Sequence, residues 1–150
     1  MPNWCMNDLR ISGEEKDILA FIDANKGDDG EFHFNTLVPQ PENIDDIRDW
    51  RITFWGTKWD IDDVDVQKLD DNNYRLYFTT AWTPPIYWLE SAIKDYKHLI
   101  FKLHSADPGI NWHSEYVRWG PLVVTSNLST FNDKREFWGF EPEDSDGFDE

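Results

Sequence analysis

Apolar and polar residues alternate in several short stretches of this chain, and each alternation predicts a half-buried strand. Leu9 and Ile11 alternate within Asn7 to Ser12. Val64, Val66 and Leu69 lead through the turn residues Asp70-Asp-Asn-Asn73 to Tyr74, Leu76 and Phe78, which predicts a hairpin. Leu99, Phe101 and Leu103 form another alternating run. Trp112 to Trp119 and Leu122 to Thr125 read as a second hairpin around Gly120-Pro121. Phe32, Phe34 and Thr36 suggest a short strand that Pro39-Gln-Pro41 would stop.

Two segments carry the wider spacing of helices. Ile18, Phe21 and Ile22 make a stripe between about Gly13 and Asn25, and Ser12 with Glu15 has the form of a capping box. Ile86, Leu89, Ile93 and Tyr96 make a second stripe, with Thr83 as the expected N-cap and Pro84 in the first turn. A short helix is also expected over Ile44 to Trp50. Strand, helix, insertion, two strands, helix and strand is the ferredoxin-like βαββαβ order. The expectation is therefore an α+β domain over residues 1–140. An antiparallel sheet would carry two helices on one face, an insertion after the first helix and an added C-terminal hairpin. Residues 141–150 read as an acidic disordered tail.

Charge changes the picture. Thirty acids face fourteen bases, a formal net charge of −16. Six of the acids lie in residues 141–150; without them 24 still face 14, so the body carries −10. Such a chain repels phosphate backbones and anionic membranes and attracts basic partners. Direct nucleic-acid binding is thus disfavoured, and a protein partner with a basic surface is favoured. Net charge also serves plain solubility. The aromatic content, nine Trp, ten Phe and five Tyr, is that of a folded chain with a dense core or an aromatic face. An exposed aromatic sheet face would allow a homodimer.

The single cysteine, Cys5, rules out an internal disulfide and fits a reducing compartment. The N-terminus has no basic segment followed by an apolar run, and no apolar stretch approaches the ~18 residues of a membrane span.

Several segments resemble the YubB ferredoxin-like domain family: Met1-Pro-Asn-Trp-Cys5, Leu9-Arg-Ile-Ser-Gly13, Pro39-Gln-Pro41, Trp50-Arg-Ile52, Trp55-Gly-Thr-Lys-Trp-Asp60 and Thr80-Ala-Trp-Thr-Pro-Pro85. The resemblance spans roughly residues 1–110. It implies the fold and an origin in phages, plasmids or integrated elements, hence a bacterial cytoplasm. It carries over no catalytic residue and no cofactor.

Candidate chemistry concentrates in the same segments. Trp50, Arg51, Trp55, Thr57, Lys58, Trp59 and Trp82 could line an aromatic cleft with cations for a planar or anionic ligand, such as a nucleotide. Alternatively the indoles pack the insertion onto the sheet. Asp45, Asp46, Asp49, Asp60, Asp62, Asp63 and Asp65 could form an acidic surface that mimics a row of phosphates. Asp60-Ile-Asp-Asp-Val-Asp65 has neither the glycine nor the glutamate of a calcium loop, so no metal is assigned there. His104 and His113 flank the turn at Asp107 and could meet across a hairpin. No phosphate loop or nucleophile elbow occurs. Two functions follow: a non-catalytic interaction protein that binds a basic host protein, in a sharper form an inhibitor of host defence, or a small-molecule binder using the tryptophan cleft.

Overall fold

A computed structural model describes residues 4–61, 63–119 and 122–141. Six strands form one antiparallel sheet in the order β2-β3-β1-β4-β5-β6. They are β1 (Trp4–Ser12), β2 (Asp65–Asp70), β3 (Asn73–Ala81), β4 (Ile100–Asp107), β5 (Trp112–Trp119) and β6 (Leu122–Ser129). Among the described residues four α-helices accompany them: α1 (Glu15–Ala24), α2 (Phe34–Leu37), α3 (Ile47–Phe54) and α4 (Ile86–Ala92).

The strand alternation is real in β1, β3 and β4 and sets the core; β2 does not follow it, since Val66 and Leu69 are exposed along with the rest of that edge strand. Leu9 and Ile11 of β1, Leu76 and Phe78 of β3, and Phe101 and Leu103 of β4 all point to one face and are buried. Ile18, Phe21 and Ile22 of α1 and Trp88 and Leu89 of α4 cover that face. Phe21 meets Phe101 edge-on at 5.0 Å, and Phe34 of α2 lies 4.5 Å from Trp88. Each such ring removes ~150–250 Å² from water, enough to explain why the layer holds.

The ferredoxin-like expectation needs correction. The sheet does not stop at four strands with two helices and an appended hairpin. β5 continues it on the far edge of β4, β6 follows, and four α-helices are present. The arrangement is not two-layered either. Residues 131–140 fold back over the face opposite the helices, where Phe137 stacks on His104 at 4.4 Å. That face is polar, so local alternation gave no sign that it would be covered.

Smaller corrections have local causes. Phe32 to Thr36 is not a strand: Phe32 makes one isolated bridge to Lys26, and Phe34 begins α2. The expected helix at Ile44 to Trp50 lies further on, at Ile47–Phe54, where Asp46 accepts from the Asp49 amide. Ser12 and Glu15 form no capping box. Ser12 ends β1 and bonds Asn73 at 2.6 Å, and Glu15 accepts from Tyr74 instead. Thr83 does not cap α4, since its hydroxyl donates to the Gly56 carbonyl and the helix starts at Ile86.

Candidate functional site

Two segments of the resemblance, Trp55–Asp60 and Thr80–Pro85, come together beside the end of β3. Trp55 terminates α3, and its carbonyl accepts from the Trp88 amide at 3.1 Å. The Thr57 hydroxyl donates to the Ala81 carbonyl at 3.0 Å. Gly56 takes φ 86, and a side chain there would meet the Pro84 carbonyl at 3.2 Å. Glycine is needed both for the turn and for this close approach.

The tryptophans then divide. Trp55 is fully buried, edge-on to Phe34 and Trp50, and donates through Nε1 to the Val38 carbonyl at 2.9 Å. It is core, not a cleft wall. Trp50 packs with it, and Arg51 is held by Gln40 at 3.0 Å and lies over the Trp55 ring. Trp59 and Trp82 are 38% and 46% exposed. The Lys58 ammonium lies 5.0 Å from the Trp59 ring and 4.4 Å from the Trp82 ring, a cation held by two indole faces.

Trp82 is held in an unusual backbone. Its φ is 76, and the Thr83 amide donates across it to the Ala81 carbonyl at 3.0 Å. A γ-turn of this sign is rare and strained, and bulky residues avoid it. The turn is held by Thr83 on Gly56 and by Thr57 on Ala81, and it sets the indole beside Lys58.

Sequence reasoning missed Trp4. It begins β1 opposite Ala81, is 47% exposed, and its ring lies 5.8 Å from Trp59 at 53°. Together they border a pocket of about 240 Å³ lined also by Asp60, Ile61, Asp63, Thr79, Thr80 and Ala81. The lining holds two carboxyl residues and no basic one. Only the Trp4–Ala81 register could have revealed it, and register between strands 77 residues apart is not written locally.

The acidic candidates also divide. Asp60 turns inward: its carboxylate accepts from the amides of Phe34 at 2.7 Å, Asn35 at 3.1 Å and Ile61 at 2.8 Å. It therefore caps α2 from a distant segment and is not part of a phosphate-like row. Asp62 lies outside the described residues. Asp45, Asp46, Asp49, Asp63 and Asp65 are exposed. Asp46 serves as the cap of α3, and Asp65 accepts from Gln67.

On the opposite face a second ionisable group assembles. Asp8, only 1% exposed in its side chain, receives Arg10 at 3.0 Å and Arg75 at 2.5 Å. His104 and His113 do meet, with ring centroids 5.6 Å apart. The Trp138 Nε1 donates to His113 Nδ1 at 3.1 Å, which leaves the ring proton on Nε2, a buried atom with no described partner. Burial, first, and the neighbouring His104 push His113 down to about 4. Burial also lowers His104. Among the described residues no group of three or more His, Cys, Asp or Glu side chains is placed to hold a metal ion. Cys5 is buried in the core, and its burial pushes the thiol up to about 12, so little thiolate exists at neutral pH.

No family model and no curated protein matches the chain. Among solved structures it is similar to protein api92 from Yersinia pseudotuberculosis, assigned to the family model DUF1281. The TM-score is 0.68 at 9% identity, over 86% of this chain and 98% of that one. At that identity the likeness is one of fold. Among the described residues, no helix is long and apolar enough to cross a membrane.

Proposed function

We propose that this protein works by binding, and that its acidic exterior engages a partner protein with a basic surface. The observation that carries this reading is how its own cations are used. Arg10, Lys16, Lys26, Lys68, Arg75 and Arg118 are all paired with carboxylates of the same chain. Lys58 and Arg51 are engaged over indole rings. Asp45, Asp49 and Asp63, in contrast, are exposed and make no ion pair among the described residues. Arg48, Lys94, Lys97, Lys102 and Lys134 are exposed without an ion pair among the described residues, but exposed carboxylates without one outnumber them; that excess steers a basic surface in and loses effect as salt rises. Resemblance to mobile-element proteins makes a host protein the natural partner.

A small-molecule or nucleotide binder using Trp55, Lys58, Trp59 and Trp82 is the weaker reading. Trp55 is core. The pocket next to the other two is about 240 Å³, below the ~300–1,000 Å³ usual for ligand sites, and no basic residue lines it.

The test is capture from bacterial lysate on the immobilised full chain at low and raised salt. Basic proteins should be retained at low salt and released as salt rises. Retention of no basic protein at low salt would overturn the reading.

A further inference from the structure

We infer that the pocket between Trp4 and Trp59 receives a single lysine or arginine side chain of the basic partner. The inference rests on the binding function proposed above and names its anchor.

Four features of the pocket select this chemistry. Two partly exposed indoles, 5.8 Å apart and inclined at 53°, form a wedge open to solvent. Indole faces attract cations within ~6 Å, most strongly when the cation is partly desolvated. The remaining lining supplies Asp63, a carboxylate with no ion pair among the described residues, and the exposed Thr79 as a neighbour able to accept a hydrogen bond, whereas the buried Thr80 hydroxyl is taken by Asn7 and the Thr83 carbonyl. Asp60 is occupied by three backbone amides, so Asp63 is the carboxylate left for a ligand. The absence of a basic lining residue disfavours an anion, and the volume of about 240 Å³ suits one long side chain better than a nucleotide.

The molecule already shows the contact in miniature. Lys58 places its ammonium over Trp59 and Trp82, yet Lys58 is not among the residues that line the pocket. It binds beside the wedge without filling it. A partner's cation would enter from the Trp4 side and use the same ring system. Aromatic side chains that combine exposure with fixed geometry are the usual anchors of interfaces, and their stem-accepting walls favour the long apolar chains of Lys and Arg.

The experiment uses the full chain and a fluorescein-labelled octalysine peptide, read by anisotropy at low and moderate salt. Trp59→Ala and Asp63→Asn should each weaken binding about fivefold, the size of a partly desolvated cation–π contact. Asp49→Asn removes the same charge outside the pocket and should change affinity less than twofold. Indole N–H signals of Trp4 and Trp59 should shift in the ¹H–¹⁵N spectrum when the peptide is added, while that of buried Trp55 stays. Equal losses for Asp63→Asn and Asp49→Asn, with Trp59→Ala silent, would overturn the pocket and leave a diffuse acidic surface. No binding of octalysine at low salt would overturn the binding function itself. A circular-dichroism spectrum of each variant confirms that it is folded; Trp4→Phe, which keeps a ring, should bind more tightly than Trp4→Ala.

Discussion

The two faces of the sheet are built on opposite principles. The helix-covered face is a dry layer of Leu9, Ile11, Leu76, Phe78, Phe101 and Leu103 under α1 and α4. On the other face Asp8, Arg10, Arg75, His104, His113 and Glu115 stand where the first face has aliphatic side chains. Residues 131–140 cover part of this group with Phe137 and Trp138. One face is held by area removed from water, the other by the satisfaction of a few charges. The first tolerates exchange of similar shapes but not loss of volume. The second is sensitive to single atoms and to pH, because each uncompensated charge there is costly.

The largest effect should come from the dry face. Trp88→Ala removes a fully buried indole and should cost about 3–5 kcal/mol in urea unfolding. Trp88→Phe should cost much less, since the indole Nε1 has no described partner to lose. Equal losses for the two would mean that this face is not governed by volume.

Asp8→Asn tests the charged face. Breaking a buried pair costs about 3–5 kcal/mol when both partners are buried. Here both guanidiniums reach water, so about 2 kcal/mol is expected in urea unfolding. The double change of Asp8 to Asn and Arg75 to Met should recover part of it, and no recovery would remove the pair from the explanation.

Asp60→Ala should cost about 1 kcal/mol, the usual worth of a capping carboxylate, by freeing the amides of Phe34 and Asn35. A loss within error would show that the cap is replaceable by water.

The smallest effect is local and lies in pH. A folded imidazole lowered below its usual 6.5 stays neutral while an unfolded one takes up a proton. His113 therefore leaves stability unchanged above pH 6.5 and subtracts from it as pH falls from about 6.5 to about 4. Protonation at Nδ1 also ends the bond from Trp138. The Trp138 indole signal reports the folded state and should shift with its midpoint near pH 4, under the influence of Glu115, Lys134 and His104 as well. In His113→Gln the step should vanish; a step that survives belongs to another group.

Much of the dry face could be read from the chain. Alternation at Leu9 and Ile11, at Leu76 and Phe78, and at Phe101 and Leu103 needs only neighbours two residues apart. The stripe of Ile18, Phe21 and Ile22 needs only neighbours three and four apart. The candidate site was legible in part: Lys58, Trp59 and Trp82 do share one surface. Trp55 could not be separated from Trp59 in advance, because four residues past a helix end the chain had turned, and burial depended on where Val38 and Phe34 lay. Asp60 looked like its neighbours Asp63 and Asp65 until α2 presented two free amides to it.

The chain's own order of residues decided which stretches alternate as the core strands, that two segments carry a helical apolar stripe, and that the body is acidic, because these depend on short periods and on simple sums. Only the folded structure decided that Trp4 meets Trp59, that Asp60 faces inward, and that residues 131–140 cover a polar face. Those outcomes depend on register and on contacts between segments tens of residues apart, and no local pattern carries that information.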